Sequence, residues 1–264
     1  MINKIFIVIT DLMFHNIKFA IGKKRFFFLY LIKKIIIFDK KTKKISLFKI
    51  RNFYDYITCR EIFLLECYSF KYLKKEDEIN TYYQSILSKS KKPLILDLGA
   101  NIGASSSYFF STFLGSKIIS LEPDILNYET LIQNIPSSIV HFNKAIACEE
   151  KNLKLINSTA DPRAITVEYG SEGETECVSV NKILNDLEND FIPFLIKIDI
   201  EGGEKDLFKK NIDWINQFKI IIIEPHDWLY PSSNTFQNFL KSVADKNRDF
   251  IIQNENILSI RNDI

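Results

Sequence analysis

The chain has 264 residues, of which 46% are hydrophobic and 26% charged, proportions that exclude a disordered or fibrous protein. Its net charge of +2 hides an imbalance, because residues 1–50 carry twelve Lys or Arg against Asp11 and Asp39, leaving that segment at +10 and the rest at −8. An acidic body argues against nucleic acid as a partner, since neutralising phosphates needs basic surface, and no uncharged stretch approaches the ~20 residues of a membrane span.

Residues 1–50 alternate apolar blocks (IFIVI, RFFFLYLI, IIIF) with lysine pairs. Two readings compete: a basic amphipathic surface in peripheral contact with an anionic membrane, or a helix and a strand packed on the core with their lysines in water. The run Ile5–Ile9 is too short for a signal peptide and is followed by Asp11. From Ile45 the sequence predicts a short strand, then a helix capped by Asp55 with Thr58 at its third position and an apolar stripe of Ile62, Phe63, Leu65 and Tyr68. A second helix, 77–87, leads through a lysine-rich linker to Pro93. Cys59, Cys67, Cys148 and Cys177 have no C-x-x-C spacing, which fits reduced thiols in a cytoplasmic protein without a zinc site or redox pair.

The stretch PLILDLGANIG, Pro93 to Gly103, reads as a strand buried on both faces that ends at Asp97 and breaks into a glycine loop. With only 8 glycines in the chain, Gly99 and Gly103 stand out, and they allow positive φ and close approach of a ligand. The spacing lacks the third glycine of a dinucleotide fingerprint, which weakens a nicotinamide-dependent oxidoreductase reading. After the next apolar run, 117–121, Glu122 is placed to accept hydrogen bonds from ribose hydroxyls.

Beyond Pro93 strands and helices alternate, which implies a parallel sheet. The expected strands are 93–97, 117–121, 138–142, 193–199 and 218–224, and the expected helices are 103–113, 124–134, 203–210 and 233–245. Segments 153–156 and 176–180 pair as accessory strands around a polar loop, and 249–253 forms a closing hairpin with 256–261. The expected fold is α/β, a doubly wound and mostly parallel sheet with an antiparallel edge. Two further centres lie at strand ends: KIDIEGGE, with Asp199, Glu201 and Glu204, and EPHD, with Glu224 and His226. Open α/β sheets bind ligands along that carboxyl edge. Asp199, Glu224 and His226 lack a diagnostic metal spacing, so no metal is expected. His15 and His141 read as structural.

Taken together, ILDLGANIG, SLEPDILNYETLIQNI and LIKIDIEGGEKDLF followed by IIIEPH closely resemble the FkbM family of methyltransferases, over about residues 45–255. Upstream, IRNFYDY looks like the family's lead-in, with Tyr54 where a small hydroxyl residue is more usual. The resemblance implies a seven-stranded Rossmann-like class I methyltransferase fold over residues 91–264, behind an N-terminal extension, 1–90. It implies methylation of hydroxyls on sugars of polysaccharides, glycolipids or secondary metabolites. By the same likeness Asp97, Gly99, Asn101, Gly103 and Glu122 would bind S-adenosyl-L-methionine, and Asp199, Glu201 and Glu204 match an Asp-x-Glu-Gly-x-Glu element. Asp199 or His226 is the candidate general base. A catalytically silent module that binds the same cofactor is the alternative.

Overall fold

The computed structural model describes residues 12–157, 165–169 and 174–262. The apolar run Ile5–Ile9 and most of the polar loop after 157 therefore lie outside the described residues. Residues 12–20 form helix α1, and an antiparallel meander follows: β1 (Phe26–Leu31), β2 (Lys34–Asp39) and β3 (Lys44–Lys49). Among the described residues the segment thus holds one helix and three strands: β3 is the strand predicted from Ile45, and where the packed reading expected a helix and one strand there are α1, β1 and β2. Its inner face, Phe26, Phe28, Ile35, Ile37 and Phe48, is buried in one apolar cluster with Phe63, Tyr108 and Phe109. Polar ties fix it in place, because Lys49 N donates to Asn134 Oδ1 at 2.7 Å and Arg25 NH1 donates to Thr112 Oγ1 at 2.9 Å. His15 is structural, its Nε2 lying 2.6 Å from Phe26 O.

Helix α2 (Phe53–Cys59) is capped by Asn52, whose side chain accepts from Tyr54 N and Asp55 N, so Asp55 is not the cap. Asp55 is buried instead and takes hydrogen bonds from Arg51 N, Nε and NH2. A π turn, Arg60–Leu64, continues α2 and turns Ile62, Phe63 and Leu64 into the core while Leu65 is left exposed. Helix α3 (Glu76–Ser88) leads to the central sheet.

That sheet contains β4 (Lys92–Leu98), β5 (Lys117–Leu121), β6 (Val140–Phe142), β11 (Phe191–Ile198), β12 (Ile220–Ile223), β13 (Arg248–Gln253) and β14 (Asn256–Arg261), in the order β13-β14-β12-β11-β4-β5-β6. Pairings from β12 to β6 are parallel, and β14 is antiparallel to both its neighbours. The reversed strand therefore lies one place in from the edge. Helices α4 (Ala104–Thr112) and α5 (Ile125–Asn134) join β4, β5 and β6. A smaller sheet, in the order β7-β10-β8-β9, is built from β7 (Ala145–Ala147), β8 (Lys151–Asn157), β9 (Ile165–Tyr169) and β10 (Thr175–Ser179). It realises the accessory pairing and adds β9 within the segment expected to be loop.

Helix α6 (Val180–Asn185) is capped by Ser179 and precedes β11. Helices α7 (Glu204–Leu207) and α8 (Gln237–Val243) are shorter than expected. The sheet's two faces carry separate apolar clusters, with Ile95 and Leu195 in one and Leu94, Leu96 and Ile196 in the other. Such two-sided burial explains why β4 and β11 read as unbroken apolar runs. Strand order reverses between β4 and β11, and ligands bind at such a switch point, outside the carboxyl ends of the strands.

Candidate active site

At the switch point the backbone of four strand ends, β12, β11, β4 and β5, is hydrogen-bonded in register: Asp199 N donates to Leu98 O at 3.2 Å, Glu224 N to Ile198 O at 3.0 Å, and Gly99 N to Leu121 O at 3.0 Å. A cavity of about 400 Å³ opens above them. Gly99, Asn101, Glu122, Asp199, Glu201, Glu224 and His226 all line it. The end of α2 and the π turn add Thr58, Glu61, Ile62 and the following Leu65 to the lining, a contribution that an apolar stripe alone does not announce.

Three of the sequence candidates lie behind the wall. Asp97 is fully buried, with Oδ2 accepting from Ser105 Oγ at 2.6 Å and Ser106 Oγ at 2.5 Å. Gly103 faces α5, where an added Cβ would lie 2.5 Å from Ile135 Cγ2. Glu204 is fully buried and its Oε1 lies 2.9 Å from His226 Nδ1. Gly99 does line the cavity, but it must be glycine for another reason. Its φ is +76°, and a Cβ there would lie 1.8 Å from the backbone oxygen of Asp199, so the loop and the end of β11 can approach only without one.

Lys197 was missed among the candidates, because a lysine inside an apolar strand looks like a surface residue. It is 2% exposed, and its Nζ donates to Gly99 O at 2.7 Å while lying 3.4 Å from Asp97 Oδ1 and 3.3 Å from Asp199 Oδ2. Burial works against its charge, but the Asp199 and Asp97 carboxylates outweigh that and hold it protonated, with a raised pKa. One cation thus joins the glycine loop, the end of β4 and the end of β11.

Glu122 receives Asn101 N at 2.8 Å on Oε2 and Asp124 N at 3.0 Å on Oε1. Burial pushes its carboxyl up to about 7 against the pull of those donors. Asn101, in the left-handed region at φ 48°, leaves its buried Oδ1 without a hydrogen-bond partner. A second group of charges surrounds His226. Burial opposes the imidazolium, but the Glu204 hydrogen bond and the charges of Glu204, Asp199 and Glu201 lift its pKa to about 10. Burial, then the Asp199 charge, pushes Glu224 up to about 8. The carboxylates around His226 thus favour the charged form of its ring. His141 lies outside this group and meets the Tyr128 hydroxyl at 2.8 Å.

The strand order, the reversed β14 and the pocket over the β4–β11 switch define a Rossmann-like class I methyltransferase fold. Residues 97–252 match the Methyltransferase FkbM domain. That is more than half of the chain, and the chain belongs to this family; the lead-in around Tyr54 lies outside the matched span. Among solved structures the chain is similar to a methyltransferase FkbM from Methylobacillus flagellatus, at 18% identity and a TM-score of 0.40, covering 64% of this chain and 43% of that one. It therefore spans less than half the length of that relative. It is also similar to an O-methyltransferase from Bacillus cereus in complex with SAH (10% identity, TM-score 0.36, 71% and 81% covered). A SAH-bound methyltransferase from Podospora anserina is a third (12% identity, TM-score 0.38, 71% and 78% covered). No curated protein matches the chain.

Proposed function

We propose that the chain binds S-adenosylmethionine in this cavity and transfers its methyl group to a hydroxyl of a sugar, in a polysaccharide, glycolipid or secondary metabolite. The observation that carries the cofactor assignment is the pairing of Glu122 with Asn101 across the glycine loop. Glu122 presents a carboxylate suited to ribose hydroxyls, and the unpaired Oδ1 of Asn101 is an acceptor for an ammonium group. Asp97 and Gly103 act from behind, as positioning residues that hold the loop and α4. When bound, the cofactor supplies an electrophilic methyl on a sulfonium. The protein's task is to align the acceptor oxygen with it and to receive the hydroxyl proton, which contribute through positioning and general-base catalysis. Of the carboxylates that line the cavity, Asp199 and Glu201, at the end of β11, are assigned to take that proton. Glu204 fixes the orientation of His226.

Trp228 supports a sugar as acceptor. It lines the cavity yet is 70% exposed, and a flat aromatic face beside carboxylates suits a ring with both apolar and hydroxyl faces. Residues 1–90 would then add acceptor contacts through Thr58, Glu61 and Ile62 to a methyltransferase domain, 91–264, that holds the cofactor and Trp228. On the outer face of the meander, Leu29, Ile36 and Leu47 pair in one row across the strands. Leu29, Leu47 and the turn residue Ile32, 89% exposed, lie close to Lys33 and Lys34. An exposed apolar row flanked by lysines fits peripheral contact with an anionic membrane on its cytoplasmic face. No described helix is long and apolar enough to cross one. Mass spectrometry of glycans and glycolipids from cells with and without the protein tests the reading. A methyl gain on a sugar hydroxyl that falls in a Trp228→Ala strain supports it, whereas cofactor binding with no methylated product in any fraction would leave a silent module.

A further inference from the structure

The methyl-transfer reading does not explain why a buried imidazole points into three carboxylates. One donor atom each from Asp199, Glu224 and His226 lies within 4.8 Å of the others. His226 is 1% exposed, and its Nδ1 is anchored 2.9 Å from Oε1 of the fully buried Glu204. Its Nε2, also buried, makes no hydrogen bond. It faces Glu201 Oε2 at 3.4 Å, Asp199 Oδ1 at 3.7 Å and Glu224 Oε1 at 3.8 Å. For Asp199 and Glu224 these distances exceed hydrogen-bond range and approach those of atoms that share one ion: ligands about 2.1 Å from a metal are about 3 Å apart as octahedral neighbours and about 3.4 Å apart in a tetrahedron, so a closure of a few tenths of an ångström brings them onto it. A carboxylate holding the far nitrogen of the ring is also the usual arrangement behind a metal-bound histidine.

We propose that Asp199, Glu224 and His226 Nε2 form a divalent-cation site, with Glu204 as the positioning residue that orients the imidazole. The donor set is one imidazole and two carboxylates without a thiolate, which favours Mn²⁺ among common ions over the softer metals. The consequence for catalysis rests on the methyl-transfer reading. The cation lies on the cavity wall, where it can hold the acceptor oxygen and make its hydroxyl more acidic. With Asp199 engaged as a ligand, Glu201 receives the hydroxyl proton as the methyl passes from sulfur to oxygen, and the sulfonium leaves as a neutral sulfide.

Mn²⁺ titrated into the full chain, followed by electron paramagnetic resonance, tests the site without turnover. The expected result is one bound ion per chain with spin-echo modulation from a directly bound imidazole nitrogen. Glu224→Gln and Asp199→Asn should weaken binding at least tenfold, and His226→Gln should remove the nitrogen modulation. Should these variants fail to fold, the wild-type spectrum decides alone. No Mn²⁺ bound at millimolar concentration, or bound Mn²⁺ with no nitrogen coupling, overturns the proposal. Calorimetry with S-adenosylmethionine on the same protein separates the two ideas. Cofactor binding without Mn²⁺ binding rejects only the metal site, and the converse rejects only the methyl-transfer reading.

Discussion

Lys197→Met retains most of the side chain's length and apolar stem and removes only the charge that joins β4, β11 and the glycine loop. In the structure Lys197 is 2% exposed, and it stands against Asp97, which is fully buried. Asp97 Oδ1 has no hydrogen-bond partner, and Lys197 Nζ is its ion-pair partner at 3.4 Å. Without the ammonium, Asp97 is left as an unbalanced buried charge, and Gly99 O loses a donor at 2.7 Å. Removing one member of a buried ion pair costs about 3–5 kcal/mol, a large part of the ~5–15 kcal/mol that holds a typical domain folded. Urea denaturation should therefore show a loss of about that size with little change in m. Adding Asp97→Asn to Lys197→Met should recover part of it, because the uncompensated charge is then gone. A loss below about 1 kcal/mol in the single variant, or a double variant whose losses simply add, would refute the view of Lys197 as the tie of the site.

Gly99→Ala should be among the most damaging single-atom additions, since its Cβ would fall 1.8 Å from Asp199 O at a φ of +76°; denaturation should show a loss of at least ~3 kcal/mol, and a neutral result would mean the loop can move away. Affinity for S-adenosylmethionine should rise with pH through about 7 and level off above it. Glu122, lifted to about 7 by burial, accepts ribose hydroxyls best as the carboxylate, so binding below that pH must first release its proton; calorimetry across pH 5.5–8.5 checks this, and Glu122→Gln should flatten the profile. Binding to anionic vesicles should weaken with salt and with Lys33→Glu plus Lys34→Glu, as sedimentation would show. Deleting the whole segment is the wrong experiment, because it would expose Phe63 and Tyr108, which share a cluster with Phe26 and Phe28.

The sheet was legible because strands buried on both faces are written as apolar runs, and their carboxyl ends were marked by Asp97, Glu122, Asp199 and Glu224 in turn. Which carboxylates face the cavity was not legible. Asp97 and Glu122 both terminate a strand, but Asp97 is the last-but-one residue of β4 and points into Ser105 and Ser106, whereas Glu122 follows β5 and lines the cavity. The N-terminal meander was hidden for a different reason. Its turns place Lys33 and Lys43 at φ 60° and 55°, positions where glycine or asparagine would normally signal the reversal. At α2, Asn52 and Asp55 are both competent caps, and Arg51 decides between them by capturing the aspartate.

Calorimetric titration of S-adenosylhomocysteine into the full chain at pH 8 tests the central claim most directly. Binding at one site per chain with a Kd in the micromolar range, about −8 kcal/mol, and at least tenfold weaker in Glu122→Ala of unchanged fold, is the predicted result. No heat of binding up to millimolar ligand, or an affinity that Glu122→Ala leaves untouched, would contradict the assignment of this cavity to the cofactor.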